Sequence, residues 1–569
     1  MKILFCILTS VLFSTLTIAQ NRFDVVIDEI MADPTPVVSL PNNEWIELKN
    51  TTTAPINLQG WRIGDATGTS GPMPNFTLQP DSFVIVCTGS AVAAMSAFGT
   101  TISVTSFPSL DNDNDQLFLR AVNGITIHAV SYSSSWYQNV VKADGGWTLE
   151  MMDTKSPCAG MINWKASVDT KGGTPGKKNS VDGINQDTEA PKLLRAYTTD
   201  NTTIILVFDE PVDSLKGATL ANYVVDGGLT LLSASTVAPL FNAVQLKTNT
   251  LMNVNTIYTA TASNITDCKN NSIGSSNKAK FGLPVDAVLN ELVINEILFN
   301  PRNNGYDFIE VYNRSNKIFD ASKIYIANRN SSGVISSQKL LATSPWYIFP
   351  GDYIVVTEDA GNLALNYLVQ TPGNVLVLSS LPSYPDDEGH VVILNFQGNI
   401  VDELTYKDDW HFKLIDDAEG VSLERIDPDA TSQDENNWHS AASTAGYGTP
   451  TYKNSQYKLQ QPINATIDVT PKVFSPDNDG RDDIAAIQYK TTEPGYVANI
   501  TIFDANGRLV RNLVRNGTLS LQGFWTWDGL DDKGLKLPVG PYILFTEIFN
   551  LQGKKQQFKN TVVLARKLN

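Results

Sequence analysis

The chain has 569 residues, of which 42% are hydrophobic and 18% are charged, and its formal net charge at pH 7 is −17. This length predicts about three to five domains, with enough apolar residues for several cores. The acidic residues are spread along the chain and are not gathered in one tail. Such an acidic surface argues against binding of nucleic acid through its phosphates.

The first 19 residues have the pattern of a secretory signal peptide. Lys2 gives a positive start, the run 3–18 is largely apolar, and Ala19 is a small residue at the expected cleavage point before Gln20. A transmembrane anchor is the alternative, but this run is shorter than the roughly 20 apolar residues that span a bilayer. We therefore expect residues 1–19 to direct export and to be removed.

A set of blocks near the start of the mature chain occurs again about 265 residues later, in the same order. The paired blocks are 26–30 (VIDEI) with 293–297 (VINEI), 44–50 with 307–313, 147–150 with 421–424, 163–164 with 437–438, and 173–176 with 448–451. Each copy spans roughly 150 residues, whereas the repeats of solenoids have about 20–50. We expect two copies of one whole domain, the first repeat and the second repeat.

Short runs of β-branched and aromatic residues, separated by Asn, Asp, Gly, Ser and Pro, predict an all-β chain. Runs with the length of sandwich-core strands are 204–208, 353–356, 390–394 and 542–545. Helix is predicted only at 91–98 and 360–367, which are equivalent points of the two repeats. The pairs Asp226-Gly227 and Asn506-Gly507 are β-hairpin signals.

Linkers are visible as polar stretches without periodicity, at 177–187, 282–284 and 453–462. They divide the mature chain into four segments with the size expected of a β-sandwich. The predicted domains are the first repeat at 22–182, a second domain at 188–285, the second repeat at 288–455 and a C-terminal domain at 464–569. The predicted architecture is therefore four tandem β-sandwiches.

Both repeats resemble bacterial lamin-tail domains. That family opens with a V-I-N-E-I strand, continues with a W-I-E-L-x-N strand and closes on N-W and G-T-P signatures, which are present in each copy in the blocks given above. The resemblance implies an immunoglobulin-like sandwich with no known catalytic centre.

The second domain is similar to a bacterial immunoglobulin-like module that begins D-T-x-A-P and carries an F-x-E-P-V strand. Residues 187–191 (DTEAP) and 208–212 (FDEPV) match these motifs. Residues 267–270 (DCKN) stand where that module usually has a D-x-x-G-N turn, so the turn departs from the pattern.

The C-terminal domain resembles the immunoglobulin-like domain of the flagellar hook-capping family and the sorting domains of Bacteroidetes type IX secretion. The motifs that carry the resemblance are 473–480 (VFSPDNDG), 527–529 (WDG), 538–542 (PVGPY) and a basic final strand at 561–567. The resemblance implies passage across the outer membrane, after export by the signal peptide.

Glutamates recur in both repeats, as Glu29 and Glu47 in the first and Glu296 and Glu310 in the second. Paired carboxylates are the catalytic groups of glycoside hydrolases. Each glutamate, however, lies within an apolar strand, where a backbone or arginine partner at a sandwich edge would satisfy it. We therefore expect structural glutamates and a protein without enzymatic activity.

The histidines and cysteines give no pattern of a catalytic or zinc site. The four histidines, His128, His390, His411 and His439, are scattered along the sequence, and His439 is predicted to be exposed because the first repeat has lysine there. After loss of Cys6 three cysteines remain, an odd number that predicts no disulfide framework. Cys87 lies in an apolar run and is predicted to be a core thiol.

Calcium is the one cofactor that the sequence supports. Asp477, Asp479 and Asp483, with Gly480 between them, resemble the middle of an EF-hand-type loop. No glutamate closes the loop, and a turn stabilised by its own backbone hydrogen bonds is the alternative. Weaker acidic candidates are the loops 111–115 and 386–388.

The ten tryptophans suggest contact surfaces as well as cores. Trp164 and Trp438 occupy one position of the repeat and are predicted to lie in the core. Trp136 and Trp410 fall near loops, and we predict that they contact a partner or a sugar ring.

The features together predict a secreted or cell-surface, non-enzymatic modular protein that binds or assembles at the outer membrane. The expected partner is an outer-membrane or secretion-system protein, with the chain as a substrate or a component of type IX secretion. Alternatives are a carbohydrate-binding surface protein, with glycans as the ligand, and an accessory chain of a hydrolase.

Overall fold

The structure is a computed structural model that describes residues 20–457, 465–550 and 555–566. The predicted signal peptide, 1–19, and part of the predicted linker 453–462 lie outside the described residues. The fold is all-β with short helical segments, as the sequence predicts. The described residues belong to two compact units, Met1–Asn253 with Ile257–Phe281, and Val254–Thr256 with Gly282–Asn569.

The first repeat forms a six-stranded sheet and two smaller ones. Its strands are β1 (Val25–Met31), β2 (Trp45–Asn50), β3 (Ile56–Asn57), β4 (Arg62–Gly64), β5 (Thr77–Leu78), β6 (Phe83–Cys87), β7 (Thr101–Ser103), β8 (Asn114–Arg120), β9 (Thr126–Ser133), β10 (Leu149–Met151) and β11 (Trp164–Ala166). The large sheet has the order β11-β10-β1-β2-β6-β7, and the smaller sheets have the orders β4-β8-β9 and β3-β5.

The second domain, in the same unit, has two sheets. Its strands are β12 (Leu193–Asp200), β13 (Thr203–Phe208), β14 (Tyr223–Val225), β15 (Leu231–Thr236), β16 (Ala243–Thr248), β17 (Tyr258–Ala262) and β18 (Lys278–Phe281). The sheet orders are β12-β13-β16-β15 and β14-β17-β18.

The second repeat again forms one six-stranded sheet with smaller ones. Its strands are β19 (Leu292–Leu298), β20 (Phe308–Asn313), β21 (Phe319–Asp320), β22 (Ile324–Arg329), β23 (Ile335–Leu340), β24 (Tyr347–Ile348), β25 (Tyr353–Thr357), β26 (Val375–Val377), β27 (Glu388–Asn395), β28 (Ile400–Lys407), β29 (Leu423–Arg425) and β30 (Trp438–Ser440). The sheet orders are β30-β29-β19-β20-β25-β26, β23-β22-β27-β28 and β21-β24.

The C-terminal domain has a three-stranded and a five-stranded sheet. Its strands are β31 (Thr466–Thr470), β32 (Val473–Phe474), β33 (Ala485–Lys490), β34 (Val497–Asp504), β35 (Leu509–Thr518), β36 (Gln522–Trp527), β37 (Gly540–Phe549) and β38 (Lys555–Leu564). The sheet orders are β31-β33-β36 and β32-β38-β37-β34-β35.

The helices are short. The α-helices of the described residues are α1 (Val92–Met95), α2 (Val140–Ala143), α3 (Ser214–Gly217) and α4 (Ala360–Asn366). Single 3₁₀ turns lie at Ser134–Tyr137, Gly160–Asn163, Leu220–Asn222, Ala321–Lys323, Pro372–Asn374, Asp408–Trp410, Glu435–Asn437 and Ser443–Ala445. α1 and α4 lie within the predicted helical stretches 91–98 and 360–367, and each follows the equivalent strand of its repeat. The two predicted helices are confirmed, but the prediction that helix occurs only there is wrong, because α2 and α3 lie outside both stretches.

The two repeats pair their strands in the same order. The two large sheets correspond strand by strand. The β4-β8-β9 sheet of the first repeat corresponds to β22-β27-β28 of the second, which has β23 as an additional strand. Even an irregularity recurs, because the register between the first two strands shifts at Asp28 in one repeat and at Asn295 in the other. The prediction of one repeated fold is confirmed, whereas the domain boundaries remain a prediction.

Both faces of the large sheets are covered, since β1 and β19 are buried at all seven positions. The inner face packs in the sandwich core of its repeat. On the outer face, α1 packs Met95 against Trp45 and Ile85, and α4 packs Leu363 against Phe308 in the same way. The repeated helices therefore cover the outer face of their sheets.

One of the two hairpin predictions is correct. Asn506-Gly507 connects β34 to β35, which pair antiparallel, and the Asp504 carboxylate accepts hydrogen bonds from Asn506 N and Arg508 N. Asp226-Gly227 instead connects β14 to β15, which belong to different sheets. The turn residues are as expected there, but the chain crosses between the layers of the sandwich.

The final strand differs from the prediction of a strand at 561–567, of which residue 567 lies outside the described residues. β38 begins at Lys555, ends at Leu564 and pairs with β37 along its whole length. On its other side it pairs with β32 at two positions, Val563 and Leu564. The last part of the strand is thus inside the sheet, and the open stretch of this edge is 555–562.

A disulfide joins Cys158 of the first repeat to Cys268 of the second domain, 110 residues apart. The sequence predicted no disulfide framework and gave no indication of this single bond, because an odd number of cysteines excludes complete pairing but not one bond. Cys87 is the unpaired thiol of the described residues and is buried, as predicted. Burial raises its pKa to about 11.

Candidate functional site

The recurring glutamates form a row across the centre of each large sheet. In the first repeat, Glu29 pairs in register with Glu150 on one side and Glu47 on the other. In the second repeat the equivalent row is Glu424, Glu296 and Glu310. All six side chains are fully buried.

The register shifts place these glutamates on the outer face. Residues two apart in a regular strand share a face, yet Ile27 packs in the inner core while Glu29 points to the opposite side. The extra residue at Asp28 causes this change of face, as a β-bulge does. Asn295 has the same role before Glu296.

A closing segment at the end of each repeat covers the row. In the first repeat, Thr174 N donates to Glu29 Oε1 at 2.7 Å and Gly176 N donates to Glu47 Oε2 at 2.5 Å. Ser180 Oγ donates to Glu150 Oε2 at 2.7 Å. The Gly-Thr-Pro signature is therefore the segment that binds the three carboxyl groups.

The second repeat makes the equivalent contacts. Thr449 N donates to Glu296 Oε1 at 2.8 Å, and Thr451 N donates to Glu310 Oε2 at 2.6 Å. Gln456 N donates to Glu424 Oε2 at 2.8 Å. The two closing segments, 173–181 and 448–456, therefore bind the glutamate carboxyl groups of their repeats in the same way.

Glycine is required where the first closing segment passes over the row. A Cβ at Gly173 would lie 2.9 Å from Glu29 Oε1. Gly176 has a φ of +79°, and a Cβ there would lie 2.6 Å from the backbone of both Phe98 and Gly99. The second repeat has Thr451 at this position with a φ of +72°, and its Oγ1 accepts a hydrogen bond from Thr371 N.

Burial raises the pKa of these glutamates. In Glu296 the pKa rises to about 8, because burial and the charge of Glu424 outweigh the hydrogen bonds from Ser422 and Thr449. The pKa values of Glu29 and Glu310 rise well above their ordinary range for the same reasons, burial first and the neighbouring glutamate second. Glu296 therefore retains its proton near neutral pH.

This arrangement holds a segment of the protein's own chain over the carboxyl groups. The bonded partners are backbone N–H groups, hydroxyls and, at Glu310, the side-chain amide of Asn295. The expected backbone partners are therefore present, whereas the expected position at a sandwich edge is wrong, because the row lies in the middle of the sheet. The prediction also missed Glu150 and Glu424, although both belong to repeated blocks. Their strands are distant in sequence from β1 and β19, so only the pairing shows the row.

The predicted calcium loop brings its three carboxylates together. One oxygen each of Asp477, Asp479 and Asp483 lies within 4.8 Å of the others. Asp483 Oδ1 accepts from Asn478 N at 2.6 Å, and its Oδ2 accepts from Gly480 N at 2.9 Å. These bonds have the form of the alternative, an Asx-type turn, and calcium binding stays a prediction.

The acidic loops 111–115 and 386–388 form no comparable group in the described part of the chain.

Trp136 and Trp410 are half-buried, at the equivalent 3₁₀ turn of their repeats. Trp136 packs against Trp164 with ring centroids 6.4 Å apart and lines a pocket of about 340 Å³. Trp410 lines a pocket of about 500 Å³. Trp164 and Trp438 lie in the cores, as predicted. A surface contact of the first two tryptophans stays a prediction.

Two histidines that are distant in sequence line the same pocket as Trp410. His411 and His439 are both buried, which makes the prediction of an exposed His439 wrong. Burial lowers the pKa of His411 to about 4 and also lowers that of His439. Each Nε2 is buried without a hydrogen-bond partner among the described atoms. Both histidines are therefore neutral at pH 7.

Comparison with known families supports the resemblance of the first repeat to lamin-tail domains. The family model described as Lamin Tail Domain matches residues 19–134. The search of curated proteins gave no match. None of the described helices has the length and apolar character that a membrane crossing requires.

Solved structures resemble the chain only weakly. The N-terminal part of the bacterial S-layer protein SbsC is 17% identical, with 29% of this chain and 40% of that chain covered and a TM-score of 0.16. Dimeric latent PorU from Porphyromonas gingivalis is 10% identical, with 71% and 35% covered and a TM-score of 0.15. A tetra-tandem repeat from the extending region of a large adhesion protein is 12% identical, with 95% and 98% covered and a TM-score of 0.12.

This chain thus spans less than half the length of the SbsC and PorU chains that it matches. TM-scores of this size support no conclusion about function.

Proposed function

We propose that this is an exported, non-enzymatic modular protein that binds or assembles with another component at the outer membrane. The observation that carries the proposal is the closure of both glutamate rows by their own repeats. The carboxyl groups that a hydrolase would use are fully buried and bonded to Thr174 in one repeat and to Thr449 in the other. A substrate could reach them only if the closing segments left.

The C-terminal domain is proposed to direct delivery across the outer membrane, through a type IX secretion component. Its resemblance to sorting domains supports this, and so does its open strand edge. Along 555–562, β38 pairs with β37 on one side and with no described strand on the other. A receptor can recognise such an edge by adding a strand to it.

Truncation of the final strand does not by itself test this proposal. A chain that ends after Phe558 lacks Val562 and Leu564, which are both fully buried. Its periplasmic accumulation, expected for a lost sorting signal, would also follow from misfolding. A gain of function separates the two explanations.

The test is a fusion of residues 464–569 to a periplasmic reporter protein, expressed in a host that has type IX secretion. Delivery of the reporter to the cell surface, measured by its digestion with external protease, is the expected result. The matched control carries the second domain, 188–285, in the same place and should stay in the periplasm. Retention of both fusions would mean that the C-terminal domain is only another immunoglobulin-like spacer.

Glycan binding is a second candidate function, favoured by the half-buried Trp136 and Trp410 at their pockets. Tryptophan rings stack on sugar faces. Binding of the full chain to immobilised glycans should weaken in Trp410→Phe and stay unchanged in Trp45→Phe, because Trp45 is fully buried in a core cluster with Ile85 and Met95. Equal binding by both variants would exclude Trp410 as a sugar contact.

A further inference from the structure

Three acidic residues from distant parts of the sequence meet in the second domain. Asp187 precedes β12, Glu210 follows β13, and Asp267 follows β17. One oxygen of each carboxylate lies within 4.8 Å of the oxygens of the other two. Asp187 is 7% exposed and Asp267 is 1% exposed. Like charges at such distances, and away from water, repel each other unless a positive group lies between them.

One carboxylate oxygen of the group has no partner. Asp187 Oδ1 accepts a hydrogen bond from Glu189 N at 3.1 Å, whereas Asp187 Oδ2 is buried and bonds to no atom of the described residues. The neighbouring Lys192 pairs with Glu189 and Asp209. Among the described residues, no ion pair joins a lysine or arginine to Asp187, Glu210 or Asp267. A buried carboxylate oxygen normally has a partner.

The surrounding loop holds the group in place. Asp267 Oδ1 accepts from Lys269 N at 2.8 Å and from Asn271 N at 2.9 Å. The Asn271 side-chain amide donates to Asp267 Oδ2 at 2.8 Å and to the backbone carbonyl of Asp187 at 3.2 Å. Next to Asp267, Cys268 forms the disulfide with the first repeat. The protein's own hydrogen bonds therefore fix the positions of Asp187 and Asp267 before any ligand binds.

We propose that Asp187, Glu210 and Asp267 bind a calcium ion. Oxygens that share one Ca²⁺ at about 2.3–2.6 Å lie at most about 5 Å apart, and this group meets that limit. The ligands are carboxylates without histidine or cysteine, which suits a hard cation and not zinc or copper. Three carboxylate ligands favour calcium over Mg²⁺, which keeps several of its waters and takes one or two carboxylates.

The ion would join three separate segments. Asp187 lies in the predicted linker 177–187, and the other two ligands lie in loops of the second domain. Calcium would therefore fix the end of the linker to the second domain, beside the disulfide that already ties that domain to the first repeat. The consequence is a junction whose stiffness depends on calcium.

The test is calorimetric titration of the full chain with CaCl₂ after removal of metals with EDTA. We expect saturable binding with a dissociation constant on the order of 10⁻⁴–10⁻³ M or tighter, as in extracellular calcium modules. Glu210→Gln should weaken it at least about 10-fold, since one charged ligand is lost. The matched control Glu189→Gln changes an exposed neighbour outside the group and should bind as the wild type does.

A third variant distinguishes calcium binding at this site from calcium binding at the loop 477–483. Asp477→Asn should keep the binding event that Glu210→Gln loses. Absence of calcium binding by the wild-type chain, or binding that Glu210→Gln leaves unchanged, would overturn the proposal.

Proteolysis gives a second readout that does not depend on the heat of binding. Lys192 is exposed and lies five residues from Asp187, and calcium should slow its cleavage by trypsin in the wild type but not in Glu210→Gln. In EDTA, Glu210→Gln should unfold at a temperature no lower than that of the wild type, which shows that the variant folds. Equal protection by calcium in both chains would contradict the proposed ligand set.

Discussion

The backbone N–H of Thr174 donates a 2.7 Å hydrogen bond to Glu29 Oε1, across 145 residues of sequence. The second repeat has the same bond between Thr449 and Glu296, at 2.8 Å across 153 residues. Each bond connects the last segment of a repeat to its first strand. The motifs that identify the two ends of the repeat are thus parts of one buried contact.

Gly176→Ala should destabilise the first repeat by at least about 2 kcal/mol. The residue has a φ of +79° and no room for a Cβ beside Phe98 and Gly99, and both left-handed strain and overpacking cost free energy. Thermal unfolding of the full chain measures the effect. The matched control is Gly89→Ala, where a Cβ meets nothing within 4 Å. Equal unfolding temperatures for the two variants would show that the closing segment is not tightly packed.

Glu296→Ala should lower the stability of the second repeat by about 2–4 kcal/mol. The change leaves Thr449 N without its acceptor in a buried site and also creates a cavity. Denaturant unfolding followed by tryptophan fluorescence measures the loss. Glu435→Ala, at an exposed position, should stay within about 0.5 kcal/mol of the wild type. If Glu296→Ala also changed the free energy of unfolding by no more than about 0.5 kcal/mol, a structural role for the glutamate row would be refuted.

Stability should fall as the pH rises from 6.5 to 8. Burial raises the pKa of Glu296 to about 8 and those of Asp28 and Asp307 to about 7. The folded chain keeps protons that the unfolded chain has already released, so each such group lowers stability by up to about 1.4 kcal/mol per pH unit until the pH passes its folded pKa, about 7 for Asp28 and Asp307 and about 8 for Glu296.

Below pH 6.5 the buried His128 and His411 have the opposite effect, because they make stability increase as the pH rises. Their pKa values are lowered to about 4, so the unfolded chain binds the additional protons. The decline is therefore expected above 6.5, and the melting temperature of the full chain across a pH series measures it. A melting temperature that rises between pH 6.5 and 8 would contradict the raised carboxyl pKa values.

Reduction of the Cys158–Cys268 disulfide should destabilise unit Met1–Asn253 with Ile257–Phe281 by about 2–5 kcal/mol. The bond closes a loop of 110 residues, and long loops lose the most entropy on closure. Melting with and without a reductant measures the effect, and peptide mapping without reduction verifies the bond. The double variant Cys158→Ser/Cys268→Ser should melt at one temperature in both conditions. A reductant effect that persists in the double variant would have another cause.

If Asp477, Asp479 and Asp483 bind calcium, chelation should lower the melting temperature of the C-terminal domain by about 2–4 °C. Asp477→Asn should abolish this difference. Asp531→Asn is the matched control, because Asp531 Oδ1 also accepts backbone N–H groups in a turn but belongs to no carboxylate group. Equal melting of the wild type with calcium and with chelator would leave only the turn.

The sequence by itself determined the features that depend on neighbouring residues. Alternation of apolar residues and the turn residues between them predicted the β-strands, because strand periodicity is local. Comparison of the two copies predicted the shared fold and the two equivalent helices. The short run that contains Cys87 was sufficient to place that thiol in the core.

Only the tertiary structure decided which distant side chains meet. Glu150 joins Glu29 because β10 pairs with β1 in one register, and a shift of one residue would turn the carboxyl group to the other face. The Cys158–Cys268 bond and the meeting of Asp187 with Asp267 likewise depend on how strands and loops pack across more than 75 residues of sequence. Local patterns contain no record of that pairing, because register and packing are properties of the whole sheet.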